Sequence, residues 1–478
     1  MTKFETMSGR IARCAVMGLV IVAAGCGEDP VDSGPFEPPE PPEPPDTTTT
    51  RYEQTVLTRA PANVNSASVV VEATGYDHAR LRLRTSGVSD ETTPAYPFVD
   101  DTARGSILGM LADRDYSIDV LLTAGAETDS VETLTLSTGP LPDWLPDVGS
   151  TGVPAENGFI GMAHPSGAFI VDNQGRVRWY VTSEDPVLNN FQAHPSGQYT
   201  MFGLEDLTRL YKVLDERGNV VGTIGCVDRD TRFHEIRVMP QGDYWALCNH
   251  EIPTDLSSRG GAEDGSVVWT VLQHVGADGE LLFEFDTSEH FSLDDIDPDV
   301  IDGADAVNMT HGNAIEFDAD GNILLSFRSL NEVTKVDATT GEVLWRLGGR
   351  ANQFAIDDPT RDFLRQHGVR LVEPGIIQLL DNGREAPSRL VRYQIDEQEL
   401  TAELVMEYAH ASNAITLVGG STQVVADRGG LVSFGRTGRV AEVDETGTQT
   451  FELTGLESLY IFRAFRIPSL YASERTVE

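Results

Sequence analysis

The sequence predicts an all-β protein, an N-terminal β-sandwich followed by a six-bladed β-propeller. Two observations carry that prediction. Residues 51 to about 140 alternate apolar and polar side chains with period two, and the remainder of the 478 residues repeats a strand, glycine turn, strand unit six times with no helical period. The length exceeds what one compact unit usually holds, and 40% hydrophobic residues suffice for a sizeable core.

Taken in order, residues 1–25 read as a secretory signal peptide. Lys3, Arg10 and Arg13 precede an apolar run from Ala15 to Ala24, too short to span a bilayer. The run ends in Val22-Ala23-Ala24-Gly25-Cys26, which has the form of a bacterial lipobox, so Cys26 is the expected lipid attachment site. Cleavage there leaves an exported, membrane-anchored chain, periplasmic or at the cell surface, and Gly27 favours the outer membrane. Residues 26–50 are rich in Pro, Glu and Thr, including Pro38-Pro39-Glu40-Pro41-Pro42, and read as an extended tether.

In residues 51–140 the alternation is clearest in His78-Ala79-Arg80-Leu81-Arg82-Leu83-Arg84 and in Tyr116-Ser117-Ile118-Asp119-Val120-Leu121. About ninety residues of short strands fit a fibronectin type III-like or immunoglobulin-like sandwich. Nothing catalytic stands out in it. Residues 141–478 carry the repeat, centred on turn glycines Gly167, Gly197, Gly242, Gly321, Gly375 and Gly429 at spacings of 30, 45, 79, 54 and 54 residues. A four-stranded unit cannot bury both faces alone, so the copies read as propeller blades. The 79-residue spacing implies an insertion, placed in the acidic region 254–305 and expected to be solvated, with a lid over the mouth as its use.

Composition narrows the function. Asp and Glu number 75 against 35 Lys and Arg, a net charge of -40 that repels nucleic acid. After cleavage Cys226 and Cys248 remain, either as a disulfide or as two buried thiols, and no CxxC pair supports a structural zinc site.

Register then locates candidate site residues. The innermost strand of each blade lines the channel and turns back, so the residue before it and the residue ending its partner share one mouth. His234 and His367 lie eight residues before Gly242 and Gly375, and His311 lies ten before Gly321. Asn249, Arg328, Asn382 and Arg436 each lie seven residues after a turn glycine. His164 and His194 fall in turns at the opposite end. Imidazoles, guanidinium and amides without a carboxylate cluster suit an anion whose charge grows during reaction, such as a sulfuryl or phosphoryl group. Neutral imidazole is also a competent nucleophile. Channel polar groups around trapped water, or a three-histidine metal site, are the other readings of the spacing.

The segments His311-Gly312-Asn313-Ala314-Ile315, Asp320 to Arg328, Thr340 to Gly349, Gln366-His367-Gly368-Val369-Arg370 and Ser388 to Tyr393 together resemble the core of the bacterial arylsulfotransferases, over about residues 141–472. The resemblance implies a six-bladed propeller behind a small β-domain. It also implies transfer of a sulfuryl group from an aryl sulfate to a phenol through a sulfohistidine, with no nucleotide donor, metal or other cofactor. His367 matches the nucleophile. His311, Asn313, Arg328 and His234 match the groups that bind the sulfuryl oxygens and protonate the leaving phenolate, and the register adds Asn249, Asn382 and Arg436 beside them as expected substrate-binding groups. Two departures stand out: Gly368 and Val369 follow the nucleophile, and Arg232-Phe233-His234-Glu235 shows one histidine where relatives often show two. No phosphate-cradling P-loop occurs, in keeping with a nucleotide-free donor.

Two rivals remain. Thr340-Gly341-Glu342-Val343-Leu344-Trp345 is similar to the tryptophan motif of quinoprotein dehydrogenases, but only one good copy is present. A non-catalytic ligand-binding propeller is the other. Asp294-Asp295-Ile296-Asp297-Pro298-Asp299 lacks the glycine-centred loop of calcium sites. The partners implied are small aryl sulfates and phenols and, through Cys26, a membrane. An oligomer is left open.

Overall fold

The computed structural model describes residues 50–60, 63–185, 190–205 and 208–475. The signal peptide, Cys26 and all but the last residue of the tether lie outside the described residues. The fold is all-β, with 3-10 turns of three residues as its only helical elements among the described residues.

The strands between Arg51 and Ser137 form one hydrogen-bonded set of eight. Alternation dictates their faces: in His78–Arg84, Ala79, Leu81 and Leu83 are buried while Arg80 and Arg84 face out. The buried sides assemble a separate core around Val69, Val71, Leu81, Ile118 and Val120. This unit docks on blade 1 of the propeller through Leu108, which joins an apolar cluster with Ile170, Trp179 and Leu470, and through polar contacts. Asn65 Nδ2 donates to the Val177 carbonyl at 2.9 Å, and Arg178 bridges Glu91 at 2.6 Å and Asp172 at 3.1 Å.

Six blades follow, each with four antiparallel strands, and blades 3, 5 and 6 carry a fifth strand. Their innermost strands are Ala464–Ile467 for blade 1, then Phe191–Ala193, Asp230–Val238, Gly312–Phe317, His367–Glu373 and Ser421–Val425 for blades 2 to 6. The ring is closed by exchange between the chain's two ends. Ala464–Ile467 pairs with Phe159–His164 inside blade 1, and Gly149–Gly152 pairs with Gln449–Thr454 outside blade 6.

The predicted blade count of six is found, with one shift of register. Gly167 turns between the second and third strands of blade 1, because the innermost strand of that blade comes from the other end of the chain. The short 30-residue spacing to Gly197 follows from that substitution. The insertion also differs from expectation. It flanks the long hairpin Tyr244–Pro253 and Ser266–Val275 and is folded: Leu256, Phe291, Ile296 and Ile301 join the largest core cluster. These apolar residues follow no strand or helix period, so periodicity did not reveal them. Two of its acids form ion pairs, Asp294 with Arg259 at 2.8 Å and Asp295 with Arg346 at 3.4 Å.

Cys226 and Cys248 form a disulfide, 6.0 Å apart at Cα, tying the entry of blade 3 to its second strand. A closed loop of this size stabilises a fold by about 3 kcal/mol.

Candidate functional site

Three inner strands carry the site, and each departs from regular pairing at its mouth end. Register shifts fall between Thr231 and Ile236 in blade 3, between Gly312 and Ala314 in blade 4, and between His367 and Arg370 in blade 5. A bulge re-aims the side chains beside it. Here the shifts bring His234, His311 and His367 together, with one ring nitrogen of each within 4.8 Å of the others. Two backbone positions enforce the arrangement. His311 adopts a left-handed φ of 50°, and Gly368 has φ of 65° with its would-be Cβ 2.9 Å from the Thr422 nitrogen, so only glycine fits after His367.

His367 is buried and its tautomer is fixed from behind. Asn382 donates through Nδ2 to the carbonyls of Thr416 and Gly419, both at 2.8 Å, which turns Oδ1 toward the imidazole. His367 Nδ1–H then donates to Asn382 Oδ1 at 2.7 Å and to the Arg365 carbonyl at 3.0 Å. Both partners are acceptors, so the proton resides on Nδ1 and Nε2 presents a lone pair. Burial pushes the His367 pKa down to about 4, the Asn382 hydrogen bond opposes this, and Arg328 adds to it.

The other pair is ordered similarly. Asn308 accepts from Arg232 Nη1 at 3.4 Å, so its Nδ2 donates to His311 Nδ1 at 3.0 Å. The His311 proton therefore sits on Nε2 and is donated to His234 Nε2 at 3.2 Å. This leaves His234 Nδ1 buried without a partner among the described residues. Burial holds both pKa values well below the usual histidine range, reinforced at His234 by His311 and at His311 by Arg232. One metal ion would draw three nitrogens to about 3.4 Å of one another, a spacing matched here by the His234–His311 pair.

Arg328 donates through Nη2 to the Leu417 carbonyl at 3.0 Å, while its Nε is buried without a partner. It lines a cavity of about 220 Å³ with Leu364, Arg365 and Arg384. A second cavity of about 400 Å³ opens beside His234 and His311 and includes Arg232 and Asn249.

Of the remaining predicted residues, Asn313 and Asn382 are buried against protein, Asn249 lines the larger cavity and Arg436 is exposed. Asn313 donates to the Gln366 carbonyl at 2.8 Å and accepts from the Gly368 nitrogen at 3.4 Å, so it braces the backbone on both sides of His367. Asn382 is wholly engaged behind His367, as described. Asn249 Oδ1 accepts from Arg232 Nη1 at 2.6 Å. Arg436 lies 5.8 Å over the Tyr460 ring, one layer out from the histidines. His164 and His194 are turn residues as expected, the first stacked on Trp144 and the second bonded to Thr200 Oγ1 at 2.7 Å.

Besides Arg232 and Asn308, sequence reasoning missed four groups. Phe233 stacks on His234 at 3.9 Å between centroids, and Phe462 lies 5.7 Å from His234 and 6.3 Å from His367. Arg463 donates to the His234 carbonyl at 2.8 Å, and buried Glu235 holds Arg370 at 2.9 Å and Arg463 at 3.3 Å beneath the mouth. Phe462 and Arg463 precede the inner strand of blade 1, which has no turn glycine after it, so counting back from glycines could not reach them.

No curated protein matches the chain. Among solved structures, a protein of unknown function from Bacteroides caccae is 11% identical, with 65% of this chain and 100% of that one covered and a TM-score of 0.42. A virginiamycin B lyase from Staphylococcus aureus, solved as an inactive variant with quinupristin, is 10% identical over 66% and 90% of the two chains, with a TM-score of 0.38. Hydrazine synthase from Kuenenia stuttgartiensis is 12% identical over 70% and 94%, with a TM-score of 0.37. The model of the family described as arylsulfotransferase (ASST) matches residues 206–455, a span holding all three mouth histidines, Asn313, Arg328 and Asn382. That match extends over more than half of the sequence, and the chain belongs to the arylsulfotransferase (ASST) family.

Proposed function

We propose that the protein transfers a sulfuryl group from an aryl sulfate to a phenol through a sulfohistidine at His367, without a nucleotide donor. The observation that carries this reading is the fixed tautomer of His367: a neutral imidazole whose Nε2 lone pair faces two further imidazoles. Family membership supports sulfotransferase activity in general terms.

In the first half-reaction Nε2 attacks sulfur in line, the N–S bond forms and the ester S–O bond breaks. The positive charge gained by the imidazole is shared through Nδ1–H with Asn382 Oδ1 and the Arg365 carbonyl. Arg328 and the His234–His311 pair stabilise the non-bridging oxygens. With the anionic ester bound, that pair holds one extra proton, which passes to the departing aryloxide. In the second half-reaction the acceptor phenol returns its proton to the pair as its oxygen attacks sulfur. The N–S bond then breaks and neutral His367 is restored.

Cys26 as a lipid anchor and an extracytoplasmic location complete the reading. The Cys226–Cys248 disulfide supports an oxidising compartment.

The test is release of 4-nitrophenol from 4-nitrophenyl sulfate by the chain without its signal peptide, with phenol as acceptor, and an intact-mass search for a sulfuryl adduct. His367→Ala is expected to lower turnover by more than ~10⁴-fold and abolish the adduct. No release from well-folded protein across several acceptors sinks the proposal. Loss of activity on chelation, with metal found by elemental analysis, would favour a three-histidine metal centre instead, a reading that the His234–His311 spacing keeps in view.

A further inference from the structure

The cavity of about 400 Å³ is lined by His234 and His311 but not by His367. It is therefore bounded by the histidine pair and not by the proposed nucleophile. In an in-line displacement the leaving oxygen points away from the attacking nitrogen, so the aryl ring of the ester extends toward this cavity. Both half-reactions use it, because the acceptor must enter along the line the leaving group took. Phe202, Phe233 and Val268 supply apolar walls suited to a ring.

One lining group does not suit a plain ring. Arg232 is only 6% exposed, yet among the described residues no carboxylate lies within ion-pair distance of it. Its protein partners are two neutral amides, Asn249 Oδ1 at 2.6 Å and Asn308 Oδ1 at 3.4 Å, both engaging Nη1. Nη2 and Nε make no hydrogen bond within the described protein. Exposed Arg209 stands at the same cavity and adds a like charge, so the local field is positive in a chain of net charge -40. A buried, uncompensated guanidinium is costly, and its fork matches a carboxylate or sulfate in two-point contact.

We infer that Arg232 reads a second anionic group carried on the ring of the substrate, so that the preferred donors and acceptors are aryl sulfates and phenols bearing a carboxylate or comparable anion. The inference rests on the proposed sulfuryl transfer for the direction in which the ring lies. The Asn308 amide links the two functions, since it touches Arg232 with one end and His311 with the other.

The test compares 4-hydroxyphenylacetate with its methyl ester as acceptors, a pair whose methylene insulates the phenol from the charge. The wild-type protein is expected to favour the carboxylate in kcat/KM by about tenfold or more, the worth of one charge-assisted contact. Arg232→Gln should bring that ratio to about one or below, and Arg232→Lys should retain part of it. Because each variant is compared with itself, a general loss of activity does not disturb the readout. A wild-type ratio near one, or a ratio preserved in Arg232→Gln, overturns the inference. If no transfer occurs with either acceptor, calorimetric titration with 4-hydroxyphenylacetate decides separately. Binding that Arg232→Gln abolishes supports the anion-reading cavity while the transfer reading fails, and absence of binding overturns the inference as well.

Discussion

The arginines of the channel interior and those of the mouth are treated in opposite ways. Below the histidines, Arg370 and Arg463 share buried Glu235, Arg237 pairs with Glu316 at 3.0 Å, and Arg466 is tied to buried Glu442. At the mouth, Arg232 and Arg328 have amide or carbonyl partners and no carboxylate among the described residues. With acids outnumbering bases two to one, carboxylates are not scarce. Interior pairs link strands of different blades, whereas the cations beside the mouth imidazoles have no carboxylate partner, as the proposed binding of an anionic ester requires.

The comparison breaks most visibly if an interior arginine is made to resemble a mouth one. Glu235→Gln leaves Arg370 and Arg463 without their shared counter-charge and is expected to cost about 3–5 kcal/mol in urea unfolding. A loss under 1 kcal/mol would mean that the interior pairs are not what fastens the blades. Removing a mouth cation should do the reverse. Arg328→Met is expected to lower kcat by about 10²–10³-fold while leaving the unfolding midpoint unchanged or raised, because a buried and poorly satisfied group disappears. If stability falls and activity does not, Arg328 belongs with the interior set.

Acid titration sharpens the contrast by a smaller amount. The unfolded chain protonates its histidines near 6.5, while folded His367 resists to about 4. A depressed folded pKa makes stability complete above pH 6.5 and progressively lost as the pH falls toward 4. At pH 5 His367 alone accounts for about 2 kcal/mol, measurable by chemical denaturation at a series of pH values. The depressed Glu235 carboxyl, held down by Arg370 and Arg463 against burial, pushes in the same direction at lower pH. Stability independent of pH between 7 and 4 would show that the mouth imidazoles take up protons as readily as those of the unfolded chain.

Much of this was legible in the sequence, and the gaps have physical reasons. Turn glycines at repeated spacing located His234, His311, His367 and Arg328 at one mouth, because each is counted from a hairpin within its own blade. Asn313 and Asn382 were placed correctly along the chain but assigned to substrate. Spacing tells where a side chain emerges, and only the bulged backbone around Gly368 shows that both amides are consumed in aiming His367. Arg232 was overlooked although it lies two residues from His234, since a lone arginine carries no sign of lacking an acid until the fold shows its neighbours.

The exchange of strands that closes the ring also sets a time at which the protein can begin to work. Phe462 and Arg463, which touch His234, immediately precede the strand that completes blade 1. His234, His311 and His367 lie in blades 3 to 5, but the wall that Phe462 and Arg463 provide arrives only with the strand that closes blade 1. The mouth and the ring are thus completed in a single event, and a chain stopped short of residue 462 carries the three histidines without the wall that rests against two of them.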